Sequence, residues 1–224
     1  MISAGLAVLA AYGLAAYVAA PLLWSRIERD APARPHPMLT TTVQGIPGDP
    51  INVGLVGSRE QILRAFAAIG WSPADPVTLK TSVEIGLSVA LRSPYRDAPV
   101  STLIFEGRGQ DLAFEKEDGA SAGRRHHLRL WRSLRPRDDA RPLWLGSASF
   151  DRDAGFSHDT GQVTHHIAPD IDAERDGLIG DLDAARLLDR AYSIPGIGPT
   201  SSGRNGGGDL YVTDGLARVG VLKP

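Results

Sequence analysis

The sequence predicts an α+β domain built on a mostly antiparallel sheet with a few packed helices, preceded by one N-terminal transmembrane helix. Three observations predict this fold class. A charge-free apolar segment opens the chain, two helical patterns with capping signals follow it, and the middle of the chain holds five short apolar runs separated by turns. The strand-helix-strand alternation that is typical of a doubly wound sheet is not found.

The opening segment, Ile2 to Trp24, has no charged residue and is long enough, at about 1.5 Å per residue, to cross a hydrocarbon layer of about 30 Å. A cleaved signal peptide is the alternative, but no Lys or Arg precedes the segment and Pro21 disfavours the one suitable cleavage site. Three arginines follow the segment, which favours a cytoplasmic domain and predicts a single-pass protein of the bacterial inner membrane: Arg26, Arg29 and Arg34.

A stripe of alanines runs along the same segment at every fourth position. The stripe consists of Ala7, Ala11, Ala15 and Ala19. Such small residues would allow close packing with another membrane helix, and chance recurrence in an alanine-rich segment is the equal alternative.

The chain divides into three parts: an anchor at residues 1–25, a proline-rich linker at 26–44 and one folded domain at 45–224. Residues 51–56 predict the first strand of the domain. Ser58, followed three residues later by Gln61, forms a capping box that starts a helix ended by Gly70. A second capping box predicts another helix over residues 81–93.

Five short runs then predict the strands of the sheet: "STLIFEG", "QDLAFEK", "HHLRLW", "PLWLGSASF" and "TGQVTHHI". A third helix follows, with an inward apolar stripe of Leu178, Ile179, Leu182 and Leu188. The chain closes with "DLYVTDGLARVGVL", which predicts a hairpin turned at Asp214-Gly215.

The composition excludes several function classes. A formal charge of -2 gives none of the basic excess that grips phosphates along a nucleic acid, so nucleic acid is not an expected partner. The chain has no cysteine, which excludes disulfides, thiolate metal ligands and a thiol nucleophile.

Two adjacent histidine pairs stand out because the chain has only six histidines. Neighbours on a strand point to opposite faces, so only one histidine of each pair can lie on the polar face. On that face we expect two catalytic candidates, His127 and His166, and three substrate-binding candidates, Arg125, Arg129 and Thr164. Imidazoles beside guanidiniums suit an anionic group such as a phosphoryl. A solvated polar face is the alternative, and His126 and His165 would be core histidines.

Three further groups are candidates. Glu174 falls on the inward stripe of the third helix and could act as a general base or orient a histidine; a structural pair with Arg175 or with a strand arginine is the alternative. Capping and the helix dipole explain the neighbouring acids. Arg204 and Asn205 lie in the glycine-rich "SSGRNGGGD" loop and could donate to an anion, whereas glycines that only serve turns are the alternative. No cofactor is expected; a divalent metal on His158, His166 and Asp151 is the alternative.

Six blocks of the sequence resemble, in order, those of the LssY carboxy-terminal domain family, from about Gly48 to the end: "GDPINVGLVGSREQ", "WSPADPVT", "QDLAFEK", "RRHHLRLW", "FDRDAGFSHDTGQVTHHIAPDIDAERD" and "SGRNGGGDLYVTDG". The resemblance implies no assigned reaction. It does imply partners, since such domains occur with DedA-like or PAP2-like membrane proteins, which favours a membrane lipid or lipid phosphate as ligand.

The sequence therefore predicts a membrane-anchored domain that binds, and as an enzyme would hydrolyse, a phosphorylated lipid or a similar anionic substrate at the membrane surface. Two alternatives stay open: a non-enzymatic accessory module that docks on a lipid-handling membrane protein, and a metal-dependent hydrolase.

Overall fold

A computed structural model of the protein describes residues 2–20, 22–23, 38–74, 102–119, 124–133, 141–159, 161, 163–197 and 202–224. Within these residues the helices are α1 (Ile2–Leu14), which continues as a π-helix (Ala15–Ala19), α2 (Arg59–Ala68) and α3 (Ile171–Ala184). The strands are β1 (Leu39–Thr42), β2 (Pro47–Pro50), β3 (Val53–Val56), β4 (Ser72–Pro73), β5 (Leu103–Phe105), β6 (Arg108–Gly109), β7 (Leu112–Glu117), β8 (Arg125–Arg132), β9 (Leu143–Phe156), β10 (Val163–Ile167), β11 (Leu188–Pro195), β12 (Ser202–Arg204), β13 (Leu210–Val212) and β14 (Leu216–Leu222).

The central sheet has the strand order β11-β14-β3-β9-β8-β7-β4, and β10 pairs with β9. Its pairings are antiparallel except for β14 with β3, which are parallel. Smaller sheets are formed by β2-β1-β5-β6 and by β12-β13. The mostly antiparallel α+β fold is therefore confirmed.

One face of the central sheet packs against α2 and α3 and forms the main core. Ser58 caps α2 through the predicted capping box, with Gln61 bonding back to the Ser58 backbone. Gly70 follows the helix at φ +81°, a conformation that glycine adopts without strain. The core on this face is made of large apolar side chains, among them Leu55, Ile62, Phe66, Phe114, Leu128, Leu130, Ile179 and Leu182.

The opposite face of the sheet is apolar at one end and polar at the other. At the apolar end the β2-β1-β5-β6 sheet packs on the central sheet. Phe105 contacts Trp131 there, and Ile51 and Leu145 belong to the same cluster. The strict alternation along β8 places Arg125, His127 and Arg129 at the polar end, as predicted, and Leu128 and Leu130 on the core side.

Strand β9 is long enough to pair with different strands along its length. Its first part pairs with β3 and its last part pairs with β10, while β8 runs along its other edge. The 14 residues of β9 thereby bring β10 next to the polar end of the sheet.

Two predicted elements near the C-terminus are wrong. Leu188 does not extend the third helix but begins β11, because the helix ends at Ala184 and Arg186 turns the chain at φ +58°. No hairpin closes at Asp214-Gly215: β13 pairs with β12, and β14 pairs with β11 and β3. The Asp214 carboxylate instead accepts hydrogen bonds from Arg175 of α3, which ties this turn to the helix.

No helix in the described ranges has both the length and the apolar character needed to cross a membrane. The predicted transmembrane helix is therefore not supported. The second predicted helix and most of the linker lie outside the described residues, and β1 already belongs to the folded unit although it precedes the predicted domain start at residue 45.

Candidate functional site

A cavity of about 490 Å³ opens over the polar end of the central sheet. Its floor is the polar face of β8, β9 and β10. Its walls come from the β1–β2 turn, the start of β5 and the glycine-rich loop after β12. The lining includes Thr42, Gln44, Ile46, Asp49, Thr102, Leu103, Arg125, His127, Arg129, Ser149, Asp151, Ser157, Thr164, His165, Ile167, Asn205, Gly206 and Gly207.

Asp151 is the centre of the charged groups on the cavity floor. The β8–β9 register sets Arg125 opposite Asp151 and His127 opposite Ser149, so all four side chains share one face. Oδ2 of Asp151 lies 3.3 Å from Nδ1 of His127, 3.7 Å from Nε of Arg125 and 3.8 Å from Nδ1 of His165. This oxygen is buried and has no hydrogen-bond partner among the described residues.

Each buried arginine of the floor is also paired with a second acid. Nη1 of Arg125 lies 3.2 Å from Oε2 of Glu115, and Nη1 of Arg129 lies 3.3 Å from Oδ2 of Asp49. All four side chains are buried. An arginine keeps its proton in a protein, so a guanidinium held out of water requires such acids nearby.

Burial perturbs the acids and bases of the floor in opposite directions. Burial, reinforced by Asp49 and opposed by Arg125 and Arg129, raises the pKa of Asp151 from 3.8 to about 7. Burial and the nearby Arg125 lower the pKa of His165 to about 4. Burial and both arginines hold the pKa of His127 well below 6.5. Near neutral pH both imidazoles are uncharged, and the Asp151 carboxyl is close to half protonated.

The predicted site residues of β8 and Thr164 line this cavity, but His166 is not among its lining residues. Ile167 pairs with Asp151 and His166 pairs with Asp153, with a register shift between them. This bulge in the β9–β10 pairing makes His165 the histidine that faces Asp151. The prediction that His165 is a core histidine, and that His166 shares the face of His127, is therefore wrong.

Glu174 orients a histidine on the other face of the sheet. Its carboxylate lies 2.9 Å from Nδ1 of His126, whose ring packs between Trp71 and Phe150. Because His126 and His127 are neighbours on a strand, Glu174 and His127 lie on opposite sides of the sheet. His126 is thus the satisfied structural histidine that the sequence predicted.

The glycine-rich loop between β12 and β13 is held by its own polar side chains. Oδ1 of Asn205 accepts the N–H groups of Gly207 and Asp209, at 3.0 and 2.9 Å. Nη1 of Arg204 donates to the carbonyl of Gly208 at 2.6 Å. Of the two predicted donors, Asn205 lines the cavity and Arg204 fixes the shape of the loop.

The predicted metal ligands are only partly brought together. Of the described residues, His158 and His166 lie with Asp209 so that one ligand atom of each falls within 4.8 Å of the others. Asp151, the third predicted ligand, belongs instead to the cavity floor. Asp209 was missed because it is adjacent to the two histidines only in the fold.

Two acids or hydroxyls of the cavity, Ser149 and Asp49, were also missed, and Asp151 was predicted only as a metal ligand. Ser147, Ser149 and Asp151 alternate along β9, a period of two that marks a polar strand face and was visible in the sequence. Asp49 gives no comparable signal, because it reaches Arg129 from a distant part of the chain.

Comparison with curated proteins and with solved structures finds no match. The model of one protein family, described as the LssY C-terminus, matches residues 33–216. The matched range contains every residue of the cavity and of the His158, His166 and Asp209 cluster. Since it covers most of the chain, as the ordered sequence blocks predicted, the protein belongs to the LssY C-terminus family.

Proposed function

We propose that the cavity binds a phosphorylated, anionic substrate, such as a phosphorylated lipid, and hydrolyses its phosphate ester. One observation carries this proposal: Arg125 and Arg129 lie buried on the same cavity floor as His127 and Asp151. Guanidinium groups recognise phosphate oxygens, and a carboxyl with a pKa of about 7 can give or take a proton at neutral pH.

The charge balance of the floor supports anion binding. Arg125 and Arg129 are paired with Glu115 and Asp49, and burial raises the pKa of both Asp49 and Asp151, which reduces the negative charge of the floor. An entering phosphate therefore meets N–H and O–H donors, and none of these three acids presents an unpaired, ionised carboxylate to it. Desolvation of the buried guanidiniums is already compensated, so the site is arranged before the substrate binds.

The groups of the floor can be assigned to one hydrolytic step. The oxygen of a water molecule bonds to phosphorus while the ester P–O bond breaks. The leaving oxygen takes the proton of Asp151, and the neutral imidazole of His127 takes a proton from the water. The products are an alcohol and inorganic phosphate, and water restores the proton on Asp151 through exchange with His127.

A lipid as the substrate is supported by the apolar surface beside the cavity. The Tyr12 hydroxyl of α1 donates to the carbonyl of Gly161 at 2.6 Å, and its ring packs edge-on against Phe156. Both contacts adjoin Ser157 and Thr164, which line the cavity. Tyr12 contacts the rings of Tyr17 and Phe156, and all three side chains are exposed, as are Leu6 and Leu9 on α1.

The test is phosphate release by the full-length protein from phosphatidylcholine vesicles that contain phosphatidic acid, with soluble glycerol 3-phosphate as a second substrate. We expect release from the vesicles, and we expect Asp151→Asn to lower it by at least about 100-fold. Asp181→Asn, a change to an exposed acid on α3, is the matched control.

The outcomes separate the candidate functions. Phosphate release from glycerol 3-phosphate alone would support hydrolysis and contradict a lipid as the substrate. Vesicle binding without release from either substrate would overturn hydrolysis and favour the accessory module that docks on a lipid-handling membrane protein.

A further inference from the structure

We propose that His158, His166 and Asp209 bind a divalent transition metal ion of the zinc class at the edge of the cavity. Binding of the ion stands on the geometry of these three residues alone. Its part in hydrolysis rests on the proposed function. Nitrogen and carboxylate donors in this combination suit such ions, whereas magnesium and calcium prefer oxygen ligands.

The three donor atoms are spaced as the ligands of one ion are. Nδ1 of His166 lies 2.7 Å from Oδ1 of Asp209, and Nε2 of His158 lies 3.6 Å from the same oxygen. The two imidazole rings are tilted, with centroids 5.1 Å apart. Ligands at about 2.0–2.1 Å from a tetrahedral zinc ion are about 3.3 Å from one another. The His166–Asp209 distance is about 0.6 Å shorter than this spacing and the His158–Asp209 distance about 0.3 Å longer, and all three donor atoms lie within 4.8 Å of one another.

The Asp209 carboxylate is fixed in the way that metal-binding carboxylates are. Its Oδ2 accepts the backbone N–H of Ile167 at 3.1 Å, and its own N–H donates to Oδ1 of Asn205 at 2.9 Å. The side chain is 3% exposed, and Oδ1 is the oxygen turned to both histidines. Hydrogen bonds of this kind orient a ligand for its ion.

The backbone around the site leaves room for both imidazole rings. A Cβ atom at position 155 would lie 2.5 Å from Nε2 of His166, and one at position 208 would lie 2.8 Å from Cβ of His158. Gly208 also has φ +83°, and the N–H of His158 donates to the carbonyl of Gly207 at 2.9 Å. Glycine at 155 and at 208 is therefore what allows the two rings to lie against Asp209.

A simple His–Asp pair does not account for the whole cluster. Such a pair explains His166 with Asp209, but it leaves His158 without a reason to approach the same oxygen. The His158 side chain is 60% exposed, so solvent could satisfy it elsewhere. Its position beside an acid that already has a histidine partner is what a shared ion explains.

Three protein ligands leave a fourth position for water. Gly207 lies beside Asn205, Thr164 and Asp209, and the first three of these residues also line the cavity. An ion here would lower the pKa of its water to about 7 and supply hydroxide at neutral pH.

The test is equilibrium binding of Zn²⁺ to metal-stripped, full-length protein without a histidine tag, measured by competition with a chromophoric chelator. We expect one equivalent to bind, and we expect His158→Ala to weaken binding by at least about 100-fold. His158 is exposed, so this variant keeps the fold; Asp209→Asn is the second variant, checked by circular dichroism. His126→Ala, a histidine held by Glu174 on the opposite face, is the matched control and retains wild-type affinity.

Absence of stoichiometric Zn²⁺ binding, or an equal loss in His126→Ala, would overturn the site. The result is independent of hydrolysis. Zn²⁺ binding without phosphate release would support the metal site and contradict the proposed hydrolysis. Phosphate release that persists in His158→Ala and after metal removal would show that the metal takes no part in the reaction.

Discussion

Nδ1 of His127 lies 3.3 Å from Oδ2 of Asp151, and both side chains are about 5% exposed or less. The pair is not an ion pair at neutral pH. Burial raises the pKa of Asp151 to about 7 and lowers the pKa of His127, so near neutral pH the imidazole is uncharged and the carboxyl is close to half protonated. A neutral carboxyl that donates and a neutral imidazole that accepts are the two groups that the proposed hydrolysis requires.

The raised pKa of Asp151 predicts a pH-dependent difference in stability between the wild type and Asp151→Asn. From about pH 4 to 7 the folded wild type binds more protons at this position than the unfolded chain, so this group makes folding less stable as pH rises. The groups that face it are Arg125, His127, Arg129, His165 and Asp49. The lowered pKa values of the two histidines act in the opposite direction, and they are present in both proteins.

The difference between the unfolding free energies of the two proteins isolates the contribution of the Asp151 carboxyl. We expect the stability of Asp151→Asn relative to the wild type to rise by about 1–4 kcal/mol between pH 4 and 7. Urea denaturation across this range measures it. A relative stability that is flat, or that falls with pH, would show that Asp151 is an ordinary ionised carboxylate.

Arg125→Leu should be strongly destabilising, because it leaves Glu115 buried without its guanidinium. The expected loss is about 3–5 kcal/mol in the free energy of unfolding. Arg124→Leu is the matched control: Arg124 pairs with Asp118 on the surface, and its loss should cost about 1 kcal/mol or less. Denaturation of both variants tests this, and comparable losses would contradict the buried pairing.

The double variant Arg125→Leu/Glu115→Leu extends this test. Removing both charges should recover most of the stability lost in Arg125→Leu, because no uncompensated carboxylate of this pair remains. Further loss in the double variant would assign the effect to packing instead.

The sequence predicted the site as far as local alternation could. Along β8 the period of two places Arg125, His127 and Arg129 on one face, and no irregularity in its pairing with β9 disturbs that order. Along β10 the same logic fails, because a bulge at residues 151–153 of β9, opposite His166 and Ile167, changes which face of β10 meets the cavity. A bulge depends on the pairing of two strands, and the alternation of one strand does not reveal it.

Long-range contacts account for the rest of what was missed. Asp49 and Asp209 complete the cavity and the metal cluster, yet each is far in sequence from the arginine or histidine that it meets. Capping signals were more dependable because their partners are only three residues apart, as Ser58 and Gln61 show. The third helix was overextended to Leu188, although that residue lies six positions after Leu182 and a helical stripe repeats every three, four or seven.

Gly155→Ala should disturb the His166 ring while leaving the fold largely intact. The added Cβ would meet Nε2 of His166, the far end of a side chain that can turn away from Asp209. We expect Zn²⁺ affinity to fall by at least about 10-fold, with a stability change of about 1 kcal/mol or less. Gly180→Ala, on α3 with no atom near the added Cβ, should stabilise by about 0.5–1 kcal/mol and leave affinity unchanged. Unchanged affinity in Gly155→Ala would contradict the proposed placement of the ring.

The adjacent histidines of β8 offer the sharpest test of which face carries the activity. His127 lies on the cavity floor beside Asp151, whereas His126 bonds to Glu174 on the helical face. We expect His127→Gln to lower kcat/KM for phosphate release by at least about 100-fold, since glutamine cannot accept the proton. His126→Gln should keep kcat/KM within about twofold and lower the free energy of unfolding by about 1–2 kcal/mol, because its charge-assisted bond to Glu174 is lost. Two substitutions at consecutive positions would then separate activity from stability, as the alternation of a single strand requires. Equal effects of the two on kcat/KM would contradict the cavity as the site of hydrolysis.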